Sequence, residues 1–150
     1  MVKLTHLNQK GEAHMVDIGA KPETKRGATA QGSLHVHPQT LHLIQTNNLP
    51  KGDVLATARI AGIMAAKSTS SLIPLCHTIP LTSVSVDLHL DTAFNRIKIQ
   101  AHVKTSHRTG VEMEALTAVS VCALTLYDML KSVDLQMRIE VAVSLSAFQQ

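Results

Sequence analysis

The sequence predicts an α+β fold, an antiparallel sheet with its helices packed on one face, and three observations carry that prediction. Two neighbouring segments alternate apolar and polar residues with a period of two: Val84, Val86, Leu88 and Leu90, then Ile97, Ile99, Ala101 and Val103. Helix-sized apolar segments lie before and after that pair, and further alternating runs lie outside those. The resulting order is strand, helix pair, strand, strand, helix, strand, the split βαβ plan of a ferredoxin-like plait.

Residues 8 to 33 are rich in Gly, Lys, Thr and Ala, and they read as a long loop with a short strand at Met15 to Ile18. Alternation runs from Ala28 to His37 and predicts the first sheet strand. Pro38 then opens a short helix through Leu41, Leu43 and Ile44 that ends near Asn47 and Asn48. Asp53 is the expected N-cap of the next helix, whose Val54, Ala58, Ala61 and Ala65 recur on one face before it fades into Ser68-Thr69-Ser70-Ser71. Pro74 forces an extended approach to Cys76 and His77. The two alternating strands follow, joined as a hairpin by Asp91 to Asn95. A long helix runs from near Gly110 to Lys131, and alternation from Leu135 through Met137, Ile139, Val141 and Val143 to Leu145 predicts a fourth strand.

The 150 residues fit one domain, with residues 1–27 expected as a basic, mobile N-terminal segment and 139–150 as an atypical tail. Only Phe94, Tyr127 and Phe148 are aromatic, so aliphatic side chains must fill the core. No secretory signal follows the first residues, Thr117, Ser120 and Thr125 interrupt the longest apolar stretch, and two cysteines make no disulfide framework. A cytoplasmic protein with no membrane span is the expectation. A net charge of +3 and a pI near 9.0 favour an anionic partner. Without a long basic run or interleaved aromatics, a small phosphorylated ligand fits better than a nucleic acid.

Charge falls where folding alone would not place it. Lys51 precedes a helix start, where the dipole disfavours a cation, while Glu112, Glu114, Asp128 and Lys131 bracket an otherwise apolar helix. Asp128 and Lys131 are three apart and can pair; partly buried, they would tune each other toward acid/base work, whereas an isolated i, i+3 pair is ordinarily a solvated one. Glu112 and Glu114 equally well complement the helix N-terminus. Glu114 and Asp128 are separated by about 21 Å of helix at ~1.5 Å per residue, so a site using both needs a second subunit. Lys51-Gly52-Asp53 offers an ammonium and free N–H groups of the kind that bind phosphate, and Lys67 closes the same helix. Cys76 and His77, as extended neighbours, point to opposite faces, which disfavours a thiol mechanism. His35, His37 and His42 could hold a metal but more often such histidines are solvated, and no metal site is assigned.

At KGDVLATARIAGIMAAK, LIPLCH and GVEMEALTAVSVCALTLYDMLK the chain resembles the cyclic pyranopterin monophosphate synthase (MoaC) family of molybdenum cofactor biosynthesis, and MVDIGAK with Arg26 resembles that family's N-terminal segment. The resemblance implies an α/β plait assembled as a hexamer of three dimers, with active sites at subunit interfaces. It implies a lyase that converts 3′,8-cyclo-7,8-dihydroguanosine 5′-triphosphate, supplied by a radical-SAM enzyme, to cyclic pyranopterin monophosphate and pyrophosphate. By resemblance Asp128 holds the acid/base position, Lys51 and Lys131 match functional lysines, and Leu75, Cys76, His77, Met113 and Glu114 match substrate contacts, with Glu112 beside them. Lys51, Arg26, Lys67 and Lys21 are then expected to hold the triphosphate, with Mg2+ as a companion of the phosphates and no other cofactor implied. Family members usually close with a Gly- and Lys-rich segment, whereas here SVDLQMRIEVAVSLSAFQQ follows Lys131 and contains no Gly. That departure supports an alternative, a weakened paralogue that binds a nucleotide or pterin phosphate without turnover; the retained Lys51, Asp128 and Lys131 oppose it.

Overall fold

A computed structural model describes residues 7–141 together with the backbone of 146–149. The elements are β1 (Thr24–His35), α1 (Pro38–Gln45), α2 (Val54–Lys67), α3 (Thr69–Leu72), β2 (Ser83–Asp91), β3 (Arg96–His107), α4 (Glu112–Leu130), β4 (Arg138–Glu140) and β5 (Ser146–Gln149). The sheet order is β2-β3-β1-β4, all antiparallel, with β5 also paired to β1. This is the plait expected from the alternation, and the helices α2 and α4 cover one face.

β2 and β3 form where period two is cleanest. Val86, Ile97, Ile99, Ala101 and Val103 turn inward, while Asp87, His89, Lys98 and Lys104 face away. Asn95 takes a positive φ in the connecting turn, which Asn tolerates better than a bulkier residue. α4 is the central helix of the core: Ala115, Ala118, Val119, Cys122, Leu126 and Leu130 recur at three- and four-residue spacing and are fully buried. Each large one of these stabilises the fold by about 1.5–3 kcal/mol relative to exposure. Two glycines let the layers close. A Cβ on Gly32 of β1 would stand 2.6 Å from Val119 Cγ1, and one on Gly62 of α2 would stand 3.0 Å from the Ala118 carbonyl oxygen of α4.

Several expectations are corrected. β1 begins at Thr24, so Thr24–Gly27 belong to the sheet and the loop expected over 8 to 33 is shorter; Met15 to Ile18 form no strand. Thr24-Lys25-Arg26-Gly27 has no apolar side chain to mark a period of two, while the small Ala28, Ala30 and Gly32 that follow suit a strand beneath α4. Ser68-Thr69-Ser70-Ser71 does not merely fade but adds the turn α3, with the Thr69 hydroxyl donating back to Ala65 and Ala66 carbonyls. The last strand is short, Arg138–Glu140 against Ser33–His35, and β5 runs against Arg26–Thr29; the intervening alternation through Val143 and Leu145 lies outside the described residues. α4 is long and apolar enough to cross a membrane despite Thr117, Ser120 and Thr125. Its burial against the sheet and α2 identifies it as a core helix instead.

Candidate active site

The charged residues singled out in the sequence gather at the two ends of α4. At its C-terminal end Asp128 lies between two ammonium groups: Lys131 Nζ is 2.8 Å from Oδ1, and Lys51 Nζ is 3.6 Å from Oδ2. Lys51 Nζ also donates to the Asp128 backbone carbonyl at 3.1 Å. That contact explains the charge that seemed misplaced. Lys51 is unfavourable before α2 but sits at the negative end of α4, where free carbonyls attract a cation. The N–H groups at the start of α2 are served by Asp53, whose carboxylate accepts from Ala56. Lys131 holds the Asp128 carboxyl below its ordinary pKa, through its hydrogen bond and then its charge, with Lys51 adding to the effect; the Lys131 ammonium is correspondingly raised. The expectation of partial burial is not met: the Asp128 side chain is 60% exposed, and its pKa is set by the two cations.

The N-terminal end is different in kind. Leu75, Cys76, His77, Glu112, Met113 and Glu114 line one cleft of about 310 Å³. α4 starts there without a side-chain cap, and Glu112 and Glu114 lie in its first turn. Glu114 is only 3% exposed. Burial pushes its carboxyl above the usual range, Glu112 adds to the rise, and its own N–H and the Cys76 thiol act against it. Oε1 accepts from the Cys76 thiol at 3.7 Å, and Oε2 is buried without a hydrogen-bond partner. Burial, with Glu114 beside it, pushes the Cys76 thiol up to about 11, which leaves little thiolate at neutral pH. His77 turns instead to the Val16 carbonyl, so the two neighbours serve different partners although both line the cleft.

The cations expected at the triphosphate divide. Arg26 Nε donates to the His107 carbonyl at 3.1 Å, at the approach to the β3–α4 turn. Lys67 lines an adjoining cavity of about 580 Å³ that shares Ile79 with the cleft. Lys21 is exposed on the N-terminal segment. His35 pairs with Glu140 at 2.7 Å, and His37 lies beyond the strand as the N-cap of α1, accepting from Gln39 N–H. The sequence reading missed Gly110, which lines the same cleft and whose missing Cβ leaves room for the Glu112 carboxylate to fold back. Its position just before α4 was the available signal. It also missed Asp134, for which the sequence carries no signal.

The chain thus holds a cation-flanked carboxylate and a half-apolar cleft, at opposite ends of one helix. Residues 15–147 of the chain match the MoaC family. The cyclic pyranopterin monophosphate synthase of Roseiflexus castenholzii is 58% identical over 139 residues, covering 93% of this chain and 88% of that protein. That of Thermomicrobium roseum is 56% identical over 140 residues, covering 93% and 84%. The synthase from a Nostoc strain is 57% identical over 137 residues, covering 91% and 82%. With β1 through β4 and both ends of α4 inside the matched span, this chain belongs to the MoaC family.

Proposed function

We propose that this protein is a cyclic pyranopterin monophosphate synthase of molybdenum cofactor biosynthesis, a lyase acting on 3′,8-cyclo-7,8-dihydroguanosine 5′-triphosphate. The observation that carries the reading is Asp128 between Lys51 and Lys131, in a chain this similar to proteins bearing that name. Opening a guanine-derived ring system and reclosing it as a pyranopterin needs protons removed and returned at several atoms. Asp128, kept ionised by its two lysines, is the base; Lys131, in direct contact with it, returns the proton. Lys51, with Arg26, Lys67 and Lys21, supplies positive charge for the triphosphate and for the pyrophosphate as it leaves.

The two ends of α4 are too far apart to touch one small substrate, and we propose that a second protomer closes the gap. The outer side of α4 carries exposed Met113, Leu124 and Tyr127, beside exposed Ile60 and Met64 of α2. Two such helices packed antiparallel about Ser120 would bring Asp128 of each protomer toward the Glu112–Glu114 end of the other. A hexamer built from three such dimers is the assembly the family resemblance implies.

Supplying the cyclised triphosphate and following pyrophosphate and pyranopterin tests the activity. Product is expected; tight binding with neither product would select the binding-only alternative raised by the tail. Mixing Asp128→Asn protein with Glu114→Ala protein tests the shared site, because a dimer of the two regains one intact site. Partial recovery is expected, and none after verified subunit exchange would mean that each site is built within one chain.

A further inference from the structure

We propose that Asp134 is a positioning residue for the Lys51–Asp128–Lys131 cluster: its carboxylate fastens α1, and with it the loop that carries Lys51, onto the last turn of α4. The inference rests on the reading of that cluster as the acid/base centre. Asp134 is 6% exposed and lies three residues beyond Lys131. Its Oδ2 accepts from the His37 N–H at 2.9 Å and from the buried Thr40 hydroxyl at 2.7 Å, and Oδ1 accepts from the Gln136 N–H at 3.1 Å. Its own N–H donates to the Leu130 carbonyl at 3.0 Å, tying it into the end of α4.

Among the described residues, the hydrogen bonds that join His37–Gln45 to sequence-distant parts of the chain both end on Asp134. The loop carrying Lys51 grows directly from α1 and is built on it. Asn48 N–H donates to the Leu43 carbonyl, Leu49 is buried, and Gly52 N–H donates to the Leu49 carbonyl. Lys51 must then cross to a carboxylate 77 residues away in sequence. An exposed lysine pays side-chain entropy to hold one geometry, so the backbone that delivers it has to be fixed by other contacts. A buried carboxylate accepting a backbone N–H and a hydroxyl from the first turn of α1 supplies that fixation. Leu41, Leu43 and Ile44 add apolar packing, which is non-directional, whereas the hydrogen bonds to Asp134 fix where α1 sits.

The test is the titration of the Asp128 carboxyl, followed by carbon NMR with labelled aspartate, in wild type, Asp134→Ala, Asp134→Asn and Thr40→Val. Lys51→Ala defines the upward change expected when that ammonium is lost. Asp134→Ala and Thr40→Val should move the Asp128 midpoint upward toward the Lys51→Ala position. Turnover should fall by on the order of ten- to a hundredfold, as misplacement of a catalytic group by an ångström predicts, and KM should rise with it because Lys51 also faces the triphosphate. Asp134→Asn keeps an acceptor for His37 and Thr40 and should lie between wild type and Asp134→Ala. If Asp134→Ala does not fold, Thr40→Val and Asp134→Asn decide the matter. An Asp128 midpoint unchanged in those two variants, with only a lower melting temperature, would overturn the proposal. Absence of turnover in wild type would sink the activity reading while the titration still decided this one.

Discussion

The two ends of α4 carry carboxylates in opposite physical states. Asp128 is open to solvent and its carboxyl is pulled down by two ammonium groups; Glu114 is almost wholly buried and its carboxyl is pushed up by burial. One end is governed by charge and the other by dielectric. The difference teaches why a single apolar helix can carry two kinds of chemistry. The end that meets the Lys51 loop holds its carboxyl toward the ionised form, and the end that meets the Cys76 segment shifts its carboxyl toward the protonated form.

The largest effect expected from breaking this contrast is at Asp128. Asp128→Asn keeps the shape and removes the proposed base, and turnover of the cyclised triphosphate should fall roughly a hundred- to ten-thousandfold with folding intact. A rate near wild type in a steady-state assay would take Asp128 out of the mechanism. Next comes the close packing of α2 on α4, the helix that carries both ends. In Gly62→Ala the new methyl meets the Ala118 carbonyl at 3.0 Å and Cys122 Cβ at 3.3 Å, and a loss of about 1–3 kcal/mol is expected in urea unfolding.

A smaller effect separates the buried end from the exposed one by pH. Burial raises the folded-state pKa of Glu114, so the folded protein retains this proton where the unfolded chain, with an ordinary value of 4.5, has released it. The group's contribution is therefore full below about pH 4.5 and declines as pH rises through the window above it. Glu114→Gln should flatten that decline and be relatively more stable at neutral pH, whereas a wild-type slope in the variant would assign the decline elsewhere. Least in size is the response to salt. Screening shortens from a reach of roughly 30 Å at 0.01 M to about 3 Å at 1 M, so the Asp128 midpoint should climb toward the ordinary aspartate value in high salt. Glu114, set by burial, should hold nearly still in a companion titration with labelled glutamate; parallel movement of both would erase the distinction.

Much of the scaffold was legible beforehand. β2, β3 and α4 were evident because burial on one face imposes a period of two or of about 3.6 on the sequence itself. The Asp53 cap and the Pro38 start were equally local. β1 hid its beginning because Thr24-Lys25-Arg26-Gly27 carries no apolar side chain from which a period of two could be read. β4 was begun too early because alternation starts at Leu135, ahead of the Arg138–Glu140 that pair; its run through Val143 and Leu145 lies outside the described residues. At the site, every residue of the Cys76 cleft named from resemblance lies together, but the exposed state of Asp128 ran against the partial burial expected of it.

Sequence alone determined the order of elements, the plait, and the residues that bear charge on α4, since each follows from neighbours within a turn or a strand. The tertiary structure alone decided that Lys51 reaches Asp128, that Asp134 clamps α1, and that Glu114 sits in a low-dielectric cleft. Distances between remote charges and the exclusion of water exist only after the layers have packed, so no local pattern can encode them visibly.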